Sequence, residues 1–286
     1  MLILGIKVSP LTFTELKDFM VDALKSDKKL KISKSNGEFL IRAHQSKSFQ
    51  KLLNDSDLNI PDGIGVLWSA KYLSLPVSKN VFLRFFQSSI QMIYSGAAIV
   101  FSPSYVKGVI PERLSGIEVF YTMLESCISA GSGVYFFGAR PEVLESAIKI
   151  IREKYPKLKI SGYHHGYGDK GSKIISDINK TDAKLLIVAL GSPEQEQWIS
   201  DNLDKLKSVR VAVGEGGSFD AIAGTTPRAP KIIQKVGMEW LWRGIFAPNL
   251  TNGANKRLLR IWNAVPVFIF EVVKWKIING ATNEKS

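Results

Sequence analysis

The sequence predicts an α/β protein: a mostly parallel sheet flanked by helices, with a basic, aromatic-rich helical appendage at the C-terminal end. Three observations carry this. Over the first three-quarters, strand-like apolar runs alternate with helix-like stretches, the pattern of a sheet covered by helices. In the second half each strand-like run ends in a Gly-containing loop, where open α/β sheets build ligand sites. From about Asn255 the rhythm gives way to cations around an apolar run.

Taken in order, Leu2 to Val8 reads as a first strand, and Thr12 with Glu15 forms a capping box for a helix to about Leu24. KLKIS, from Lys29, is the next strand, followed by Asn36 and one helical stretch to about Leu53. DLNIP leads into Asp62-Gly63 and another helix. GVYFFG is an apolar strand ended by Gly138; Pro141 then opens a helix with Leu144, Ile148, Ile151 and Tyr155 on one side. KLKISGYHHGYG gives a strand and a Gly-rich loop. KLLIVALG is a run of the kind buried on both faces, and its GSP loop opens the helix EQEQWISDNLDKL. VRVAVGEGG repeats the arrangement.

Two segments break the rhythm. Val81 to Phe101 is nearly uncharged and long enough to be weighed as a transmembrane helix. Gln87, Ser88, Ser89 and Gln91 count against that, and a single span would separate Asp62 from Gln195; if both serve one site a re-entrant hairpin or a covered helix remains, and a covered or interfacial helix is expected. The second segment is the tail. Lys256, Arg257 and Arg260 precede the apolar run Ile261 to Phe270, Lys274 and Lys276 follow it, and Trp262 and Trp275 lie near its ends. The run is too short to span a bilayer. Its flanks suit a segment lying among lipid headgroups, where each cation contributes about 1 kcal/mol on an anionic surface. The competing reading is a helix packed on the protein or on another subunit. The chain accordingly divides into a catalytic domain, 1–245, with an apolar insertion at about 76–110, and a membrane-associating appendage, 246–286.

The 286 residues carry a formal charge of +12, which favours a polyanion: nucleic acid, anionic lipid or a phosphorylated substrate. The densest mixture of cations and aromatics is the tail, and there the aromatics sit in an apolar run better suited to lipid than to nucleic acid. Cys127 is the single cysteine, so an intrachain disulfide is excluded, and it reads as a small core residue. The N-terminal run is too short for a signal peptide, which places the catalytic body on the side of the membrane where it is made.

FFGARPE, LGSPEQE and VGEGGSFD each offer main-chain N–H groups and a helix start to an anion, as a nucleotide diphosphate requires. None fits G-x-G-x-x-G or the Walker pattern, which counts against a nicotinamide-dependent oxidoreductase. Asp62 and Asp220 are each candidates for a general base or for a helix N-cap. His164 and His165 lack a third ligand at metal spacing, and His44 is remote.

Together the blocks PDGIGVLWSAKYL, PERLSGIEVF, VYFFGARPEVLESA, YPKLKISGYHHGYG, VALGSPEQEQWI and VGEGGSFDAIAGTTPRAPKIIQKVGMEWLWR resemble the WecG/TagA/CpsF family, glycosyltransferase family 26, from about Ile32 to Arg243. The resemblance implies a Rossmann-like fold and an inverting, metal-independent transferase with no cofactor. The donor is a UDP-sugar, typically carrying N-acetylmannosamine or its uronic acid. The acceptor is a sugar linked through diphosphate to a polyprenyl lipid at the cytoplasmic membrane face, in teichoic acid, common antigen or capsule assembly.

Asp62 matches the family's proposed general base, Arg113 the arginine near the donor diphosphate, and Gln195 a polar site residue. Asn36 matches an asparagine of the early block, while Lys34 stands where threonine is usual and Glu194 where lysine is common. Lys34, Asn36, Gly138, Ala139, Gly191, Gly217, Asp220 and Arg228 are the candidate substrate and nucleotide contacts. Lys256, Arg257, Arg260 and Trp262 are the appendage's candidates for diphosphate and membrane contact. The segment from about Pro76 to Ile110 is longer than the family's usual connection. The expected partners are thus the UDP-sugar, the lipid-linked acceptor and an anionic membrane surface, and not nucleic acid. The apolar tail and insertion also leave room for a homo-oligomer.

Overall fold

The computed structural model describes residues 1–168, 170–225, 230 and 263–280. The chain opens on a hairpin, β1 (Leu2–Ile3) and β2 (Ile6–Lys7), paired antiparallel and separate from the main sheet. The single strand expected here is folded back on itself because Leu4 and Gly5 both take left-handed backbone angles, φ 50° and 83°. Helix α1 (Phe13–Lys25) follows, and its capping box is formed: the Glu15 amide donates to Thr12 Oγ1 at 3.2 Å and the Thr12 amide to Glu15 Oε2 at 2.7 Å.

The main sheet begins with β3 (Leu30–Ser35). The helical stretch expected after Asn36 is two helices, α2 (Gly37–Gln45) and α3 (Lys47–Asn54). Ser46 divides them: its extended backbone ends α2, and its hydroxyl accepts from the Phe49 amide at 3.4 Å to start α3. Then come β4 (Leu58–Pro61), α4 (Ile64–Ser74), α5 (Val81–Phe101), α6 (Gly116–Ser129), β5 (Gly133–Gly138), α7 (Pro141–Lys154) and β6 (Lys159–His164). The order closes with α8 (Ser172–Asn179), β7 (Ala183–Ala189), α9 (Glu194–Asn202), β8 (Val211–Gly214), the short α10 (Ser218–Ile222) and α11 (Phe268–Asn279).

Six strands pair in the order β4-β3-β8-β7-β5-β6, and every pairing is parallel. Period-two alternation divides their side chains between two cores. Ile32, Phe136, Ile187 and Val213 pack with Leu16, Phe120 and Ile148 from α1, α6 and α7. Phe137, Leu186, Val188 and Ala212 pack with Ile174, Ile178 and Trp198 from α8 and α9. Cys127 lies in the first core, and burial pushes its thiol up to about 12.

A third cluster joins the hairpin, α2, α3 and α4 to Phe268 and Val272 of α11. The appendage is helical over 268–279, as expected, and one face of it is packed on the protein. Lys276 is buried; its ammonium donates to the Tyr72 carbonyl and to Gln91 Oε1 (2.6 Å) and sits 4.3 Å from the Tyr72 ring centroid. Trp275 packs edge-on against His44 at 5.9 Å. Over 268–279 the tail thus packs Phe268, Val272, Trp275 and Lys276 on the protein, while Phe270 and Ile278 are exposed. Among the described residues no helix is long and apolar enough to cross a membrane. Helix α5 has the expected bounds, but its apolar side is uncovered, with Phe82 72%, Ile90 68% and Ile93 68% exposed. The expected domain boundary near 245, and the residues Arg228, Lys256, Arg257, Arg260 and Trp262, lie outside the described residues.

Candidate active site at the carboxyl edge of the sheet

All six parallel strands point their carboxyl ends to one edge. The chain leaves β5 for β6 on one side, whereas it leaves β7 for β8 on the other. The loops after β5 and β7 therefore diverge, which opens the crevice in which such sheets hold ligands. Its floor is bare main chain. Gly138 has φ 122°, and a Cβ there would lie 2.5 Å from the Ala189 carbonyl, so the two strand ends can approach only with glycine at this point. Ala139, also left-handed at φ 63°, donates its N–H to the Ala189 carbonyl at 2.8 Å, and its own carbonyl accepts from Gly166 at 3.0 Å. Across the crevice Gly191 leads into α9, and a Cβ on Gly216 would meet the Gly191 Cα at 3.1 Å and Gln195 Oε1 at 2.9 Å. Main-chain amides beside the starts of α7 and α9 suit an anionic diphosphate.

Gly217 starts α10. Asp220, one turn in, lies 3.4 Å from the Arg140 guanidinium and accepts from Thr225 Oγ1 at 3.2 Å. It is a carboxylate held by a cation, which argues against it as the general base. His164 and His165 end β6 with their ring centroids 4.7 Å apart, and His165 contributes its carbonyl 2.6 Å from His164 Nδ1. Among the described residues no three His, Cys, Asp or Glu side chains are grouped to hold a metal ion.

The other end of the edge is built by β4 and β3. The Asp62 amide donates to the Ser35 carbonyl at 2.8 Å, and an isolated parallel bridge joins Asp62 to Leu114. That bridge brings the ERLSG segment, and with it Arg113, to the end of β4. The helix-cap alternative for Asp62 fails: α4 is capped by Gly63, with no side-chain cap bond. Among the described residues nothing donates a hydrogen bond to the Asp62 carboxylate. Asn36, in contrast, does cap a helix, its Oδ1 accepting from the Phe39 amide at 2.9 Å.

A Cβ on Gly116 would lie 3.4 Å from Lys34 Nζ and 3.6 Å from Asp62 Oδ2, so the ammonium and the carboxylate flank the same small residue. Lys34 Nζ is also 2.6 Å from Glu215 Oε1, and both side chains are largely buried. The Lys34 ammonium is thus already paired within the protein. With strands ~4.8 Å apart, Asp62 at the end of β4 lies roughly 14 Å from the end of β7. The edge therefore has glycine-rich main chain at one end and a carboxylate at the other.

Two acids at this edge are not marked by sequence reasoning. Glu215 follows β8 directly; burial pushes its carboxyl up, Lys34 draws it down, and the nearby Asp62 charge pushes it further up. The Ser218 hydroxyl donates to it. Glu196 lies in the first turn of α9, where burial again raises its carboxyl against hydrogen bonds from Gln195 and Ser192. Gln195 is buried and gives its Nε2 to Glu196 Oε1 at 2.7 Å, and among the described residues its own Oε1 has no partner. An acid placed directly after a doubly buried strand run was the one signal for Glu215; its pairing with Lys34 depends on β3 and β8 being neighbours.

The sequence model of the glycosyl transferase WecG/TagA/CpsF family matches residues 1–86 and 78–281, two segments that meet at the start of α5. Curated relatives carry the name N-acetylglucosaminyldiphosphoundecaprenol N-acetyl-beta-D-mannosaminyltransferase. One from Bacillus spizizenii is 27% identical over 240 residues, covering 84% of this chain and 77% of the relative. One from Bacillus subtilis is 27% identical over 217 residues, 76% and 72% of the two chains. One from Staphylococcus aureus is 28% identical over 198 residues, 69% and 74% of the two chains. With that match over most of its length, the chain belongs to the WecG/TagA/CpsF family of glycosyl transferases.

Proposed function

We propose that this protein transfers N-acetylmannosamine, or a closely related sugar, from a UDP-sugar to N-acetylglucosamine linked through diphosphate to a polyprenyl lipid. The product would enter teichoic acid, common antigen or capsule synthesis at the cytoplasmic face of the membrane. The names of the relatives support the transferred sugar and the acceptor. The observation that carries the chemistry is Asp62: a carboxylate at the end of β4, uncommitted to a helix cap, on the edge that also holds the glycine-floored crevice.

In this reading the donor diphosphate rests on the main chain of the Gly138-Ala139 and Gly191 loops, and the sugar reaches across β8 toward Asp62. The acceptor hydroxyl attacks the anomeric carbon from the face opposite the diphosphate. As the new C–O bond forms, the bond from the anomeric carbon to the phosphate oxygen breaks, the hydroxyl proton passes to Asp62, and UDP departs with the bonding pair. Attack from the opposite face inverts the anomeric centre. Arg113, brought beside Asp62 by the Leu114 bridge, offsets charge on the departing diphosphate, a role a planar guanidinium fills with paired N–H groups. No metal is needed in this scheme. Gln195 and the Glu215–Lys34 pair hold the floor between the two ends.

The test is Asp62→Asn, assayed with a short-chain prenyl-diphosphate N-acetylglucosamine acceptor and UDP release as the readout. Loss of a general base lowers the rate by about 10²- to 10⁴-fold, with UDP affinity nearly unchanged and no sensitivity to chelators in the parent enzyme. Near-normal turnover by the variant would remove Asp62 from the chemistry.

A further inference from the structure

Helix α5 exposes the side chains a soluble helix buries. Phe82, Phe86, Ile90, Ile93 and Phe101 follow one another at near-helical spacing along one face, and each is at least half exposed. The opposite face is small and polar, and it is pinned. The Trp68 indole donates to Ser95 Oγ at 2.9 Å, the Tyr72 hydroxyl to the Ser88 carbonyl at 3.1 Å, and Gln91 Nε2 to the Pro76 carbonyl at 2.9 Å. Arg84 crosses to α11 and donates to the carbonyls of Ile277 and Ile278 at 3.1 and 3.2 Å, closing that helix's C-terminal end. These bonds fix the rotation of α5, so the aromatic stripe is presented outward by a rigid support.

A continuous apolar stripe on a soluble protein marks a surface that meets something other than water. The charges around it identify the partner. Residues 63–111 contain no Asp or Glu, whereas Lys71, Lys79, Arg84 and Lys107 fall within them. Lys79, just before the helix, and Lys107, just after it, are exposed. A two-fold contact with a second copy would set these cations against themselves with no acid from the segment to pair them. An anionic lipid surface supplies both the apolar layer and the countercharge. At 21 residues and ~1.5 Å per residue the helix is about 31 Å long, and it is not apolar enough to cross a membrane. Lying in the interface satisfies both faces.

We propose that the outward face of α5 seats this protein on an anionic phospholipid bilayer, the helix lying in the headgroup plane with its phenylalanines and isoleucines toward the acyl chains. The proposal takes its purpose from the lipid-linked acceptor of the reading above, but its test does not depend on that reading. Cys127 is buried with its thiol raised, so an introduced surface cysteine can be labelled selectively.

The full-length chain carrying Ile93→Cys with an environment-sensitive fluorophore is mixed with vesicles of phosphatidylcholine and phosphatidylglycerol in equal parts. A blue shift and a severalfold rise in emission are expected, weaker on phosphatidylcholine alone, with no change for a label at Lys149→Cys on exposed α7. In flotation, Phe86→Ser with Ile90→Ser lowers vesicle partition by about tenfold without changing the melting temperature, since both side chains are solvent-facing. Unchanged emission at position 93 overturns the proposal. So does a dimer that the double variant splits while vesicle binding stays intact, which would make the face a contact between copies. A blue shift in a protein that transfers no sugar would keep the seating and discard the proposed reaction.

Discussion

At the carboxyl edge of the sheet, Glu215, Glu196 and Gln195 are buried, Lys34 is largely so, and Gln195 Oε1 has no partner among the described residues. In the layer made by α4, α5 and α11, Lys276 is held by Tyr72 and Gln91 and Ser95 by Trp68, while Ser88 Oγ and Trp275 Nε1 are buried with no partner among the described residues. The large apolar side chains of α5 meanwhile face outward. Burying a polar group costs free energy unless it is bonded, and both regions carry some of that cost; they differ in that the edge buries carboxylates whereas the layer buries an ammonium and hydroxyls. The edge keeps charges close to a ligand space, where they can act on a substrate. The layer uses them as pins that hold an apolar face in a fixed direction. In the proposed reading, reactivity belongs to the first region and placement to the second.

The largest effect on stability should come from splitting the buried pair at the edge. Lys34→Ala leaves Glu215 without its countercharge, a change that typically costs about 3–5 kcal/mol, and Lys34→Met with Glu215→Gln should recover most of it. Chemical denaturation of the parent and the two variants measures this. A cost no larger than that of a surface substitution would mean that the edge is more open than its burial indicates.

Lys276 gives the next test, through pH. Burial lowers its folded-state value to about 7, from 10.5 for the free side chain. Between those two values the unfolded chain binds the extra proton, so stability rises with pH from about 7 toward 10.5, and the charged form opposes folding below that window. Lys276→Met should remove this slope. The difference in melting temperature between the two proteins, followed across the window, reads the effect directly; parallel curves would show that the ammonium is better solvated than its place in the fold implies.

A smaller effect is expected at Ser95→Ala, which strands the buried Trp68 indole N–H at a cost of about 1–3 kcal/mol. The orientation of α5 should loosen with it, seen as faster amide exchange confined to α4 and α5. Exchange spread evenly through the sheet would mean that this bond pins nothing local.

Much of the sheet is legible in the sequence because its signals are local. GVYFFG and KLLIVAL are too apolar to be anything but buried, and Gly138 and Pro141 mark where a strand stops and a helix starts. The hairpin is not, since MLILGIKV contains no turn residue but Gly5, and Leu4 takes an angle that leucine rarely adopts. The break at Ser46 is hidden inside a run of helix-compatible residues. At the site, the family blocks mark Asp62, Arg113 and Gln195, and the structure brings Asp62 together with the Arg113 segment through one backbone bridge. The Lys34–Glu215 pair depends on strand order, which no local pattern encodes. The tail illustrates the opposite failure. Composition alone made Lys276 a lipid-facing cation, and only the packing of α11 on Tyr72 and Gln91 shows that it points inward.

The division between reactivity and placement can be measured as a ratio. Initial rates are taken for the parent protein and for Phe86→Ser with Ile90→Ser, first on a short-chain acceptor free in solution and then on a long-chain acceptor embedded in phosphatidylglycerol-containing vesicles. The account predicts that the double variant keeps the parent rate on the free acceptor and loses about tenfold on the embedded one. Equal losses on both acceptors, or no loss on either, would contradict it.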